Sequence, residues 1–408
     1  MHKKYKNNYY KFLIAQILDN TTNKLIGTSV IITSFALFLG LSDNVIGVYT
    51  IIGSIACVFQ LFSAPIYSKI SQNKIITMWN YILYRLTSFI IIFIPFISSN
   101  ILIRSILFIG LFLLYDFFGQ IGYVTIVNWK MSILKAEDRA KYFSQKHFIF
   151  NILLIIITLT MGVLIDKFKI LGIEYWGYVL LFTVAFILTA IDVTLRFFTN
   201  KPQIEEDKVN IKDVFTIPFK DSVFKRILIF SVLYNFSLTF GIQYLTLYQL
   251  KYLGFTVTFS TMIAIIVMII SAVSGVFWSK VLKNLGWKKV LIYSCILNTV
   301  YFLGYAFCNN NLIFLLPILS IAFGFSESAY SIFENNGIYE NSKENFKTLY
   351  VSFEKFVKGI SVMLVPFISY FLISSGNNEF NIRIIFGITS FLFLINIFYL
   401  IRNVKFNN

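Results

Sequence analysis

Residues 148–165 read FIFNILLIIITLTMGVLI, eighteen positions without an ionisable side chain, preceded by Lys146 and His147 and followed by Asp166. A helix rises about 1.5 Å per residue, so about 20 such residues cross the roughly 30 Å hydrocarbon layer of a bilayer. This stretch is the heart of a transmembrane span expected over 144–165. Reading outward, the same pattern of apolar runs bounded by charge or turn residues predicts five spans before or beside it, at 12–39, 45–67, 75–97, 102–127 and 176–198. Six more are expected at 227–250, 257–280, 289–308, 312–333, 350–374 and 382–401. Composition agrees: 57% of the chain is hydrophobic, 13% is charged and mean hydropathy is +0.75. A soluble domain carries about 25% charged residues because its surface faces water. The expected fold class is therefore all-α and integral to the membrane.

The charge pattern orients the spans. With the N-terminus in the cytoplasm, 28 of the 35 Lys and Arg fall on the cytoplasmic side, a count that includes Arg196 and Lys358. Arg104, Lys167, Lys169, Lys251 and Arg383 fall outside, and Lys24 and Arg85 lie within the membrane. Such asymmetry is the positive-inside signature of an even number of spans with both termini cytoplasmic. It also accounts for the net charge of +16 without nucleic acid, since the cations are spread loop by loop and form no stripe. The basic N-terminus reads as a first helix that is retained, because Asp19, Asn20, Asn23 and Lys24 interrupt what would be a signal-peptide core. Cys57, Cys295 and Cys308 all sit in apolar runs without metal-ligand spacing, so no metal or other cofactor is expected. Neither a phosphate-binding loop of the ATPase type nor a His-Glu-x-x-His motif occurs. The abundance of Ile, Asn, Lys and Phe fits an AT-rich bacterial genome, and the expected location is a bacterial plasma membrane.

A polar stretch separates six spans from six. The domains expected are an N-terminal six-helix bundle over 1–198, a cytoplasmic linker over 199–226 and a C-terminal bundle over 227–408. Similar features recur in the two halves, as in a duplicated unit. After the second span stand Ala64, Ser68, Lys69 and Lys74; after the eighth stand Gly275, Ser279, Lys280, Gly286, Lys288 and Lys289. The loop after the fourth span carries Asn128-Trp129, then Arg139 and Lys141; the loop after the tenth carries Asn335-Asn336, then Lys347. In these loops, and in its six-plus-six layout, the chain resembles the major facilitator superfamily along essentially its whole length. The family's signature loop places a glycine four residues before an acid, followed by several cations. Here Ser68 and Ser279 stand where the acid would be. The resemblance implies two six-helix pseudo-repeats around a central cavity, lined by the first and fourth helices of each half.

Ionisable groups at membrane depth are costly unless paired or hydrated, so each is a functional candidate. Candidates fall largely on those four spans: Asp19, Asn20 and Lys24 on the first, Asp116 and Gln120 on the fourth, Asn235 and Gln243 on the seventh, Glu327 on the tenth. Glu334 lies lower on the tenth. At about 1.5 Å per residue, Asp19, Asp116 and Glu327 fall at similar levels, with Arg85 placed to neutralise one of them. The residues expected at the gates are Ser68, Lys69, Lys74, Arg139, Gly275, Ser279, Lys280 and Lys288. The function expected is secondary active transport of a small solute by alternating access, by a monomer, with a proton as coupling ion and Asp116 or Glu327 carrying it. Competing readings are a sodium-coupled or uncoupled carrier, an intramembrane enzyme using these acids as general acid and base, and a receptor derived from a transporter.

Overall fold

In lipid every backbone N–H and C=O must be satisfied within the chain, so apolar runs of this length become helices. The computed structural model describes residues 2–56, 59, 74–134, 139–199, 219–308, 314–341, 347–373 and 378–404, and all regular structure among them is helical. Two compact units form, residues 1–207 with 256–261, and residues 208–255 with 262–408. The linker residues 200–218 lie outside the described residues, as do Cys57, Ser68 and Lys69.

The first unit opens with α1 (His2–Ile26) and α2 (Val30–Phe38), which together occupy the predicted first span. That span is not one helix. It breaks at Gly27-Thr28-Ser29, where Ser29 is extended and its hydroxyl accepts from the Ile32 N–H at 3.2 Å, capping α2. Tyr49, on α3 (Asp43–Ala56), closes the break. Its hydroxyl donates to the Gly27 carbonyl at 2.8 Å and accepts from the Ser29 N–H at 3.2 Å, so the backbone groups freed by the break stay bonded. There follow α4 (Lys74–Ile90), carried by a tighter turn into Ile94–Ile97, then α5 (Ile101–Ile133), α6 (Arg139–Ile170) and α7 (Glu174–Phe197). The N-terminal α1 packs on α6 and α7, and α4 packs on α5 and α7.

The second unit holds α8 (Ser222–Ile242), capped by the Asp221 carboxylate on the Val223 and Phe224 N–H groups. Next comes α9 (Val257–Phe307), which belongs to this unit from Met262 on and whose 51 residues are about twice what one crossing needs. Gly286 divides it at φ 71, ψ 169, a left-handed conformation open to a residue without Cβ. The predicted boundary between the eighth and ninth spans falls at this point. Then come α10 (Leu315–Ile332), a π turn (Phe333–Gly337), α11 (Lys347–Met363), α12 (Val365–Ile373) and α13 (Asn378–Asn403). Among the described residues nine stretches are long and apolar enough to cross a membrane. The broken first span is not among them.

Packing sorts the aromatic residues. Phe96, Phe367, Phe371 and Phe398 lie on the outside, whereas Tyr49, Tyr81, Tyr234, Tyr301, Tyr305 and Tyr330 are buried. A phenol buried in protein finds a hydrogen-bond partner that lipid cannot supply. Close helix contact in the second unit rests on Gly324 of α10. A Cβ there would stand 2.8 Å from the Val267 carbonyl oxygen and 2.9 Å from the Ile270 Cβ of α9. Gly324→Ala is therefore expected to destabilise the protein by about 1–3 kcal/mol, seen as a lower Tm in detergent. An unchanged Tm would refute the close approach.

Candidate functional site

Within the first unit, four charged side chains from α1, α4 and α7 meet away from solvent. Asp19 is ion-paired to Arg85 through Oδ1 and to Arg196 through Oδ2, the latter at 3.0 Å. Arg196 also holds Asp192, one helical turn earlier on α7, at 2.7 Å. Tyr81 stands at the centre: its hydroxyl lies 2.8 Å from Asp19 Oδ1 and also contacts Asp192 Oδ2. Arg196 and Arg85 lie with their guanidinium carbons 4.7 Å from the ring centres of Tyr81 and Tyr84 respectively. Two carboxylates thus face two guanidinium groups, with Lys146 a further cation in the electrostatic reach of Asp19.

An uncharged layer covers this network. Asn23, one turn after Asp19, accepts at Oδ1 from Arg85 Nη1 at 2.8 Å, from the Tyr115 hydroxyl at 2.7 Å and from Tyr84. The Tyr84 and Tyr115 rings stack at 4.4 Å. Asp116, beside Tyr115 on α5, is half-buried and makes no hydrogen bond or ion pair among the described residues. Across from it is Gly53 of α3, whose added Cβ would come 3.8 Å from Asp116 Oδ2.

A second polar cluster lies inside the second unit. Lys358 of α11 bridges Glu334 at 2.5 Å and Glu354 at 3.1 Å. Ser231 of α8 bonds to Glu354 at 2.5 Å, and Tyr234 and Tyr330 stack at 3.7 Å with their rings 4° from parallel.

The candidate residues are distributed as follows. Asp19 and Arg85 are directly paired, which joins the first span to the third. Lys24 is exposed and makes no hydrogen bond or ion pair among the described residues. Five residues along a helix turn it through about 140°, away from the face that carries Asp19. Asn20 and Gln120 are half-buried, and Glu327 is exposed. Asn235 donates to the Ser231 carbonyl at 2.9 Å and to Tyr330; Gln243 is buried and accepts from Ser369 at 3.5 Å. In the second signature loop Ser279 donates back to the Gly275 carbonyl at 2.8 Å, Lys280 is exposed, and Lys288 donates to the Ile401 carbonyl at the end of α13. A lysine there satisfies a terminal carbonyl and complements the helix dipole. Lys74 and Arg139 open α4 and α6, but their side chains lie outside the described residues.

Sequence reading missed Asp192, Arg196, Glu354 and Lys358, all buried. Counting Arg196 and Lys358 as topogenic cations hid them. The available signal was spacing: in each pair an acid precedes a base by four residues inside an apolar span, one turn apart on one face. Taking both cations out of the inside count leaves the charge asymmetry intact.

Comparison with known proteins places this geometry. The sequence profile of the Major Facilitator Superfamily matches residues 12–338. No curated protein sequence gives a significant match. Among solved structures, an alanine-substituted variant of the nucleoside transporter NupG is similar, with a TM-score of 0.78 at 14% identity over 98% of this chain and 100% of that one. A D-xylose-proton symporter gives 0.68 at 14% identity, covering 98% of each chain. The inward-open xylose transporter XylE from E. coli gives 0.67 at 14% identity, over 98% of this chain and 96% of that one. At such identities the likeness is one of fold: twelve membrane helices in two halves. With the profile matching most of its length, the chain belongs to the Major Facilitator Superfamily.

Proposed function

We propose that this protein is a secondary transporter that moves a small uncharged polar solute by alternating access, driven by a proton gradient. It works as a monomer in a bacterial plasma membrane, with both termini in the cytoplasm. The observation that carries the proposal is Asp116: a carboxyl within a membrane helix, without hydrogen bond or ion pair among the described residues. An unpaired carboxylate at that depth is costly, and proton binding removes the charge. Tyr115, the adjacent residue, reaches Asn23, so solute bound at Asn23, Tyr84 and Tyr115 and a proton on Asp116 would share one short segment of α5. The ions of the network pair with one another, which favours an uncharged solute held by hydrogen bonds and ring stacking. Nucleosides and xylose, named for the structural relatives, are of this class.

Reconstitution into proteoliposomes tests the reading. Uncharged sugars and nucleosides are screened for uptake with and without an imposed pH gradient. Accumulation that a protonophore abolishes is expected. Downhill flux indifferent to the gradient would mean an uncoupled carrier, and chemical conversion of the solute would mean an enzyme.

Orientation is tested separately. Single cysteines at Ser42, after the first span, and at Lys283, after the eighth, are expected to react with an impermeant reagent from opposite faces of the membrane, Lys283 from the cytoplasmic one. Labelling of both from one face would overturn the topology.

A further inference from the structure

The polar cluster of the second unit contains a hydrogen-bond chain whose direction its own atoms fix. The side-chain nitrogen of Asn235 lies 2.9 Å from the Ser231 backbone carbonyl, which can only accept, so that group is the donating amide. The same amide donates to the Tyr330 hydroxyl. Tyr330 then turns its single proton toward Ser231 Oγ at 3.0 Å, and Ser231 donates to Glu354 Oε1 at 2.5 Å. Three donors in series, from α8 to α10 and back, end on one carboxyl of α11.

Charge does not balance at that end. Lys358 is shared between Glu354 and Glu334, one cation to two acids. Glu354 is 1% exposed and Lys358 8%, whereas the Glu334 side chain keeps 36% of its surface. Glu354 Oε2 is buried without a hydrogen-bond partner among the described residues. The groups facing Glu354 are Lys358 on its own helix, Glu334 and Tyr330 from α10 and its π turn, and Ser231 from α8. In the first unit two acids meet two guanidinium groups; here two acids share one cation.

We infer that Glu354 is a proton-binding site of the second unit, reached from the half-buried Glu334 side and linked to Asn235 through Tyr330 and Ser231. Binding forms an O–H bond on Oε2 and leaves Lys358 to Glu334 alone. Release breaks that bond and returns Lys358 to both acids. Because the chain of donors ends on Glu354, a solute that takes the Asn235 amide changes how well the carboxylate is held. That coupling rests on the transport reading above; the protonation itself does not.

Infrared difference spectroscopy on the full chain in lipid, between about pH 6 and about pH 9, reads the C=O stretch of protonated carboxyls without any solute. The wild-type band is expected to lose one carboxyl's intensity in Glu354→Gln. Ser231→Ala, which keeps the acid and removes one hydrogen bond, is expected to retain the intensity and shift the frequency. Unchanged bands in both variants would overturn the site. In proteoliposomes, Ser231→Ala is expected to change the dependence of uptake on pH gradient. An altered infrared band with unaltered gradient dependence would overturn the coupling role alone. No flux in wild-type protein would overturn the transport reading and leave the infrared result standing.

Discussion

Arg196→Met is expected to lower the stability of the protein by about 3–5 kcal/mol, the usual cost of stripping one partner from a buried ion pair. Arg196 is fully buried and is held by Asp192 at 2.7 Å and by Asp19 at 3.0 Å. Methionine keeps most of the volume, so the loss comes from charge. Asp192 retains Tyr81 as its remaining bonded partner among the described residues, and Asp19 retains Arg85. Adding Asp192→Asn removes the charge that Arg196→Met strands, and the surviving Asp19–Arg85 pair is neutral as a unit. The double variant should therefore be more stable than Arg196→Met alone, with a coupling of about 1–3 kcal/mol between the sites. Equilibrium unfolding in detergent reads all three variants. Additive losses would show that Asp192 and Arg196 do not stabilise one another, and the network would lose its place as the brace between α1, α4 and α7.

That brace also marks the limit of what residue order discloses. Span positions were legible because burial in lipid needs only length and hydropathy, and both are local. Gly286 and the lysines around it placed the boundary inside α9 for the same reason. The break in the first span had a local signal too: Gly27-Thr28-Ser29 pairs a residue tolerant of bends with a helix-capping hydroxyl. A hydropathy window averages over it. Partner choice is different in kind. Asp19 and Arg196 are 177 positions apart, and nothing in either neighbourhood names the other. Depth counting brought Asp19 near Arg85, 66 positions away, yet Lys24, on the same helix as Asp19, points elsewhere because of helical phase. Assigning every cation near a span end to topology discards those that are buried. Arg196 and Lys358 both sit four residues after an acid, a spacing that a purely topogenic residue has no reason to keep. The same spacing on one face let each half carry an acid and a base inside.

Asp116→Asn is expected to abolish accumulation of solute against its gradient while leaving exchange between two solute-filled compartments measurable. Exchange needs a loaded site that can alternate between the two faces. Accumulation needs in addition a group that binds a proton on one face and releases it on the other. Asparagine matches the shape of the protonated acid and part of its hydrogen bonding, but it has no proton to release. Its neutrality also spares the cost of holding an unpaired carboxylate within the helix. The network beside it is untouched, since Tyr115 and not Asp116 bonds Asn23, so folding and solute binding should survive. Loss of accumulation by more than about tenfold corresponds to about 1.4 kcal/mol or more of driving force no longer transmitted. If Asp116 only braces α5 against α3, the amide variant should lower expression or Tm instead. The ratio of accumulation to exchange per folded molecule would then stay at the wild-type value. That unchanged ratio would remove Asp116 from the mechanism, and with Glu354 still intact it would move the search for the coupling group to the second unit.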